Sequence, residues 1–107
     1  MTRKECMDKK EKTNLLLNGL ASKLRSVKLK SSERNKLLNN AIGLKFKLIR
    51  LEKNITAEAV VQDNKEVLND VHSLYKFEQG IFHFGKLYTL TNYYDVDVND
   101  LFKLTER

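Results

Sequence analysis

The sequence contains no proline and no tryptophan, and its 107 residues include only four glycines and one cysteine. Such sparse turn-forming chemistry argues against an all-β protein, whose frequent turns are rich in glycine and proline. The single cysteine, Cys6, can form neither an internal disulfide nor a zinc site, and we assign it no role. No stretch approaches the run of about 18 apolar residues that a membrane span requires. We therefore expect a single helical domain with no membrane span.

Signatures of secretion, metal binding and catalysis are also missing. The first ten residues place no apolar segment behind their charges, so we expect no secretory signal and a cytoplasmic location. His72 and His83 are the only histidines, and they share no metal-ligand spacing with cysteine or carboxylate side chains. There is neither a glycine-rich phosphate loop nor a nucleophile elbow. The sequence predicts a protein that is not an enzyme and that has no cofactor and no metal.

The positive charge of the chain is concentrated in its first half. Residues 1–53 carry fifteen Lys and Arg against five Asp and Glu, a net +10, whereas residues 54–107 carry five against nine, a net −4. A positive field of this strength attracts polyanions such as nucleic acid or an acidic membrane surface. A solvated, lysine-rich helix surface explains the same charge equally well.

Apolar spacing predicts two long helices at the start of the chain. In the first, over about residues 9–28, Leu16, Leu20, Leu24 and Val27 form one stripe. The second is expected to begin at a capping Ser31 or Ser32 and to run to about residue 53. It has two apolar faces, which comprise Ile42, Phe46 and Ile49 on one side and Leu37, Ala41, Leu44, Leu48 and Leu51 on the other. The second face must meet the first helix or another chain, and packing against the first helix is favoured.

Four shorter helices are predicted from capping residues and apolar periodicity. Thr56 caps a third helix that buries Val60 and Val61, and Asp70 caps a short helix at 71–79 that ends at Gly80. After an apolar loop at residues 81–85, a further helix carries Leu87, Leu90, Tyr93 and Tyr94, and Asp97 caps a last helix that buries Leu101. The alternation at residues 95–98 leaves a short strand open as an alternative.

Four segments in order carry a resemblance to a known family. They are residues 42–50 (IGLKFKLIR), 52–58 (EKNITAE), 74–80 (LYKFEQG) and 87–102 (LYTLTNYYDVDVNDLF). Together they resemble the Cro and phage-repressor type of helix-turn-helix proteins, also called the xenobiotic-response-element type. The resemblance implies a five-helix DNA-binding domain at residues 41–107, preceded by a basic helical extension at residues 1–40. It implies a sequence-specific transcriptional regulator.

In that family a short helix enters the major groove, where each base pair displays a distinct pattern. The resemblance implies that this helix is the one at about 71–79 and that Leu74 and Phe77 hold it in the core. The residues implied in contact with double-stranded DNA, through bases or phosphates, are Val71, His72, Ser73, Lys76, Gln79, Lys45 and Lys53.

Three further expectations follow from the resemblance. Arg50 should form an ion pair with Glu78. The stretch from Val61 to Leu74 is about three residues longer than in the family, so the second helix or the turn should be extended around residues 62–68. A homodimer is expected, because one short reading helix contacts only a few base pairs.

Two alternative functions stay open at this point. The first is a helical protein-interaction module of the same fold with weak or lost DNA binding, using Phe82, Phe84 or the stripe Leu37, Leu44, Leu48 and Leu51 to hold a partner. The second is a basic amphipathic helix at residues 9–30 that rests on an acidic membrane.

Overall fold

The computed structural model describes residues 3–24 and 30–101, and every regular element within these ranges is an α-helix. This confirms the all-α class. The helices are α1 (Arg3–Leu24), α2 (Ser31–Glu52), α3 (Ala57–Asp63), α4 (Val71–Glu78), α5 (Phe84–Tyr94) and α6 (Val98–Leu101). Residues 95–98, for which a short strand was an alternative, form no strand. Asp95 is the C-cap of α5 in the left-handed conformation, and α6 begins at Val98. α2 passes through residue 41 without a break, so the boundary expected there falls inside a helix.

Local capping chemistry fixes the starts of three helices as predicted. The Thr56 hydroxyl accepts a hydrogen bond from the Ala59 amide at 3.1 Å, and an Asp97 carboxylate oxygen accepts one from the Asn99 amide at 2.9 Å. Each bond satisfies one of the amides that a helix start leaves without an intrahelical partner. Asp70 caps α4 in the same way, as described below.

The predicted serine cap of α2 is wrong. The N-cap is Lys30, whose side chain makes no capping bond. Its carbonyl oxygen accepts a hydrogen bond from the Arg34 amide at 2.9 Å, so Ser31 and Ser32 already lie in the first helical turn.

α1 and α2 form the most extensive helix pair, in agreement with the expected intramolecular packing. The face of α1 that packs inward includes Leu20 of the predicted stripe but not Leu16. Thr13 and Ala21 are buried and Leu17 is half-buried, whereas Leu16 is 55% exposed. The predicted Leu24 and Val27 lie outside the described side chains. Small side chains at 13 and 21 allow α1 to approach α2 closely, and the Thr13 hydroxyl donates its hydrogen bond to the Lys9 carbonyl at 2.8 Å.

Aromatic side chains from α2, α4 and α5 meet in the centre of the core. The rings of Phe46 and Phe77 pack edge to face with centroids 4.9 Å apart. The ring centroid of Tyr94 lies 6.0 Å from that of Phe46. Leu74 and Leu90 are fully buried beside them. Phe46 of α2 therefore joins both α4 and α5 to the core.

Candidate nucleic-acid interface

The N-terminus of α4 is stabilised by its own cap. Asp70 Oδ1 accepts hydrogen bonds from the Ser73 amide at 2.8 Å and from the Ser73 hydroxyl at 3.1 Å. These bonds favour the ionised carboxyl group and lower the pKa of Asp70 below its ordinary value. Ser73, which was predicted to contact DNA, is half-buried. Its hydroxyl already donates a hydrogen bond within this cap.

The other end of α4 is fixed to α2 by the predicted ion pair, which the structure confirms. Arg50 Nε lies 2.7 Å from Glu78 Oε2, and Arg50 Nη2 lies 3.0 Å from Glu78 Oε1. Both side chains are buried. Burial by itself would lower the pKa of Arg50, but the hydrogen bond and the charge of Glu78 outweigh it, so the pKa is raised. The two-pronged geometry sets the orientation of α4 as well as its position.

Two glycines permit the close approach of α2 to this end of α4. A Cβ atom on Gly43 would lie 2.5 Å from the Glu78 carbonyl oxygen and 2.7 Å from the Gly80 amide nitrogen. Gly80 has a φ of +96°, and a Cβ atom there would meet the backbone of Asn39 at 2.7 Å. The predicted helix 71–79 accordingly ends one residue early, with Gln79 as its C-cap. Sequence reasoning identified Gly80 as a helix stop but missed the role of Gly43.

One face of α4 is exposed. His72, Tyr75, Lys76 and Gln79 are exposed, and they follow the i, i+3, i+4, i+7 spacing that places residues on one side of a helix. The predicted contacts His72, Lys76 and Gln79 are therefore brought together, with Tyr75 among them. Val71 is half-buried and packs against the core instead.

The two predicted lysines outside α4 lie in different places. Lys45 is about 200° around α2 from Gly43, and thus on the side away from α4. Its Nζ donates a hydrogen bond to the Asp100 carbonyl oxygen at 2.7 Å, near the end of α6. Lys53 is exposed at the C-cap of α2, just before α3. The structure brings neither lysine onto the exposed face of α4.

The extended connection between α3 and α4 occurs where the sequence predicts it. It runs from residue 64 to residue 70 and is anchored by two buried residues, Asn64 and Leu68. The Asn64 side-chain amide donates to the Val60 carbonyl at 2.8 Å, and the Asn64 carbonyl accepts from the Val67 and Leu68 amides. The helix-turn-helix motif ordinarily has a turn of three or four residues. Here the longer connection is internally hydrogen-bonded.

α5 is tied to α3 by a polar contact that sequence reasoning missed. The Tyr93 hydroxyl donates a hydrogen bond to Asp63 Oδ2 at 2.8 Å. Desolvation, the hydrogen bond and the negative charge of Asp63 raise the pKa of Tyr93 to about 12. The neighbouring Tyr94 is buried, and its hydroxyl has no hydrogen-bond partner within the described residues. Burial first, and then the charge of Glu78, raises the pKa of Tyr94 as well.

An open groove lies beside the exposed face of α4. Its volume is about 680 Å³, and α1, α2 and α4 all contribute to its walls. Its lining includes Tyr75 and Gln79 of α4 and Leu16 and Leu20 of α1. The sequence did not predict this groove, because its apolar spacing placed Leu16 and Leu20 in the stripe expected to pack on α2.

The apolar loop after α4 splits into an inward and an outward part. Phe82 is half-buried, with its ring centroid 5.1 Å from that of Phe77, so it does not provide the exposed surface that was predicted. Phe84 is 75% exposed and begins α5, and its ring stacks on that of Tyr88 at 6.2 Å. Ile81 is also exposed. We call Ile81, Phe84 and Tyr88 the α5 patch.

The described part of the chain contains neither a metal-ligand cluster nor a membrane-spanning helix. Over residues 3–24 and 30–101, no three histidine, cysteine or carboxylate side chains are placed to hold a metal ion. Within that part of the chain, none of the helices combines the length and the apolar character needed to cross a bilayer. Comparisons with protein-family models, with curated proteins and with solved structures found no match.

Proposed function

We propose that this protein is a sequence-specific DNA-binding regulator, and not an enzyme, that reads the major groove with α4. The observation that carries the proposal is the presentation of α4. The helix is capped by Asp70 and clamped to α2 by the Arg50–Glu78 pair, and it exposes His72, Lys76 and Gln79 along one face. Lysine suits the O6 and N7 acceptors of guanine, and a glutamine amide suits the N6 and N7 atoms of adenine.

Internal partners engage three of the five carboxylates in the segment from α3 to α4. Asp63, Asp70 and Glu78 each accept a hydrogen bond from another side chain or amide of the protein, whereas Glu58 and Glu66 are exposed. Lys76 is the one cationic side chain within α4. Lys53, the basic residues of α1 and those of α2 other than Lys45 would supply phosphate contacts, which provide much of the affinity for DNA.

Selection of bound sites from a pool of random DNA duplexes tests this function directly. A consensus site should emerge, and Lys76→Ala or Gln79→Ala should weaken binding to it by about 5- to 150-fold and relax the preference at single base pairs. Lys53→Ala should weaken binding on all sequences alike and reduce the salt slope by about one. Lys45→Ala is the matched control, because Lys45 lies away from α4, and it should change affinity by less than about twofold. Recovery of no preferred site would contradict the proposal.

We further propose that the regulator acts as a homodimer through the α5 patch. Its three large apolar side chains are exposed, and the rings of Phe84 and Tyr88 stack on each other. Exposed apolar clusters of this kind are typical of protein contacts. The same patch supports the second candidate function, a protein-interaction module without DNA binding, which would be favoured if site selection fails while the patch still holds a partner.

A further inference from the structure

We infer that the groove between α1, α2 and α4 binds an acidic amphipathic helix of a partner protein. The lining of the groove is mainly apolar, with Asn40, Gln79 and Glu78 among its polar residues, and it carries two lysines, one on α1 and one on α2. Its apolar lining consists of Leu15, Leu16, Gly19, Leu20, Leu44 and Tyr75.

Packing on α2 buries only part of the apolar surface of α1. Leu15 is 72% exposed and Leu16 is 55% exposed, although Leu17 and Ala21 of the same helix face inward. A helix with apolar residues on two sides ordinarily buries both. Here the second side of α1 is open to a partner.

The dimensions of the groove suit a helix. An α-helix about 10 Å across with a pitch of about 5.4 Å occupies about 420 Å³ per turn. The groove volume of about 680 Å³ therefore accommodates the inserted apolar side of two or three turns. Gly19 lines the groove in the C-terminal half of α1, and apart from the adjacent residues and nearby backbone of α1 itself no heavy atom lies within 4 Å of a Cβ atom built on it. Any larger side chain at this position would project into the open space.

The charged residues that line the groove favour an acidic helix as the partner. Three charged residues line the groove, and one of them, Glu78, is already neutralised by Arg50. Lys23 and Lys47 have no ion-pair partner in the described part of the chain. A helix with leucines on one side and glutamates along its edges would bury the leucines against the floor and pair with both lysines. Opposite potentials of this kind set specificity and association rate.

The same charges disfavour a second copy of this chain as the occupant. α1 carries six lysine and arginine residues against three acidic ones, so two copies of α1 would repel each other. DNA fits the apolar floor poorly, because its backbone offers only phosphate and sugar to such a surface. An acidic amphipathic helix can pack its apolar side on the groove and form ion pairs with the two lysines.

Occupation of the groove would also cover part of α4. Tyr75 and Gln79 line the groove and belong to the same exposed face as His72 and Lys76. A bound helix would therefore exclude DNA from that face. This consequence rests on the proposed function, whereas binding of the helix does not.

The test uses a fluorescently labelled synthetic helix of about 16 residues, with leucines at i, i+3, i+4 and i+7 spacing and glutamates elsewhere. Its binding to the full chain is measured by anisotropy in the absence of DNA. A peptide with lysines in place of the glutamates should bind at least tenfold more weakly. Lys23→Glu with Lys47→Glu should weaken binding of the acidic peptide at least tenfold. The matched pair Lys30→Glu with Lys65→Glu, which makes the same change in net charge outside the groove, should alter it by less than about twofold.

A third variant separates loss of binding from loss of folding. Gly19→Leu fills the groove without a clash and removes a glycine from a helix interior, so it should bind the acidic peptide at least tenfold more weakly while unfolding at no lower temperature than the wild type. Equal binding of the two peptides, or unchanged binding in Gly19→Leu, would overturn the inference. So would a concentration-dependent self-association that Gly19→Leu abolishes, because that result assigns the groove to a second copy. If the peptide binds as expected but site selection on DNA fails, the inference stands and the proposed function falls.

Discussion

Arg50 of α2 and Glu78 of α4 are joined by two hydrogen bonds, of 2.7 Å from Nε and 3.0 Å from Nη2, in a buried setting. The pair connects the long central helix to the C-terminal end of the helix with the exposed polar face. A buried ion pair stabilises little compared with apolar residues of the same volume, but the loss of one partner leaves an uncompensated charge. Its main contribution here is therefore to fix the orientation of α4.

The first prediction concerns this pair. Glu78→Ala should lower the free energy of unfolding by about 3–5 kcal/mol, because it leaves the Arg50 guanidinium buried and unpaired. The double variant Arg50→Met with Glu78→Leu should recover most of this loss, since no buried charge remains. Urea denaturation measures both. A loss below about 1 kcal/mol for Glu78→Ala would mean that the pair is solvated.

The second prediction compares two glycines within helices. Gly43→Ala should destabilise by about 1–3 kcal/mol, because its Cβ would meet the backbone of residues 78 and 80 and force α2 away from α4. Gly19→Ala is the control, since space is open there. It should stabilise by about 0.5–1 kcal/mol through helix propensity alone. Thermal or urea unfolding of both variants should show changes of opposite sign, and equal shifts would contradict the close approach.

The third prediction concerns the Tyr94 hydroxyl, which is buried without a partner in the described part of the chain. An unsatisfied buried polar group costs about 1–3 kcal/mol, so Tyr94→Phe should leave stability unchanged or raise it by about 1 kcal/mol. The matched variant Tyr93→Phe should lower stability by about 0.5–1.5 kcal/mol, because it removes the hydrogen bond to Asp63. Destabilisation by Tyr94→Phe as large as that by Tyr93→Phe would indicate that the Tyr94 hydroxyl has a partner.

The fourth prediction concerns alkaline pH. The pKa of Tyr93 is about 12 in the folded protein, against about 10 for an unfolded tyrosine. A raised pKa contributes stability that is fully present below the unfolded value and is lost as pH rises through the folded value. Stability should therefore fall between about pH 10 and 12, and Tyr93→Phe should lessen that fall. Denaturant titrations across this range provide the measurement, and identical pH profiles for the two proteins would contradict the prediction.

The fifth prediction concerns assembly. Phe84→Ser with Tyr88→Ser should convert a dimer into a folded monomer, because both side chains are exposed and nothing in the core depends on them. Leu16→Ser removes an exposed apolar side chain outside the α5 patch and should leave the dimer intact. Light scattering at tens of micromolar distinguishes the two states. A monomeric wild-type protein under these conditions would contradict the proposed dimer.

The sequence by itself determined the helical class and the starts of α3, α4 and α6. Thr56, Asp70 and Asp97 were identified as caps because a cap bond involves only residues two or three positions apart. The Arg50–Glu78 pair was expected only through the family resemblance. The five-helix DNA-binding arrangement that the resemblance implies stays a prediction.

Only the tertiary structure decided which apolar residues face inward and where the lysines lie. Leu16 and Leu17 are equally apolar, but only Leu17 packs inward. It lies on the same face of α1 as the small residues Thr13 and Ala21, which are buried against α2. Phe82 is less exposed than Phe84 because its ring packs against that of Phe77. Such choices depend on the shape of a surface built by residues far apart in sequence, so no local pattern contains them. The groove beside α4 exists for the same reason, since α1, α2 and α4 must meet before it forms.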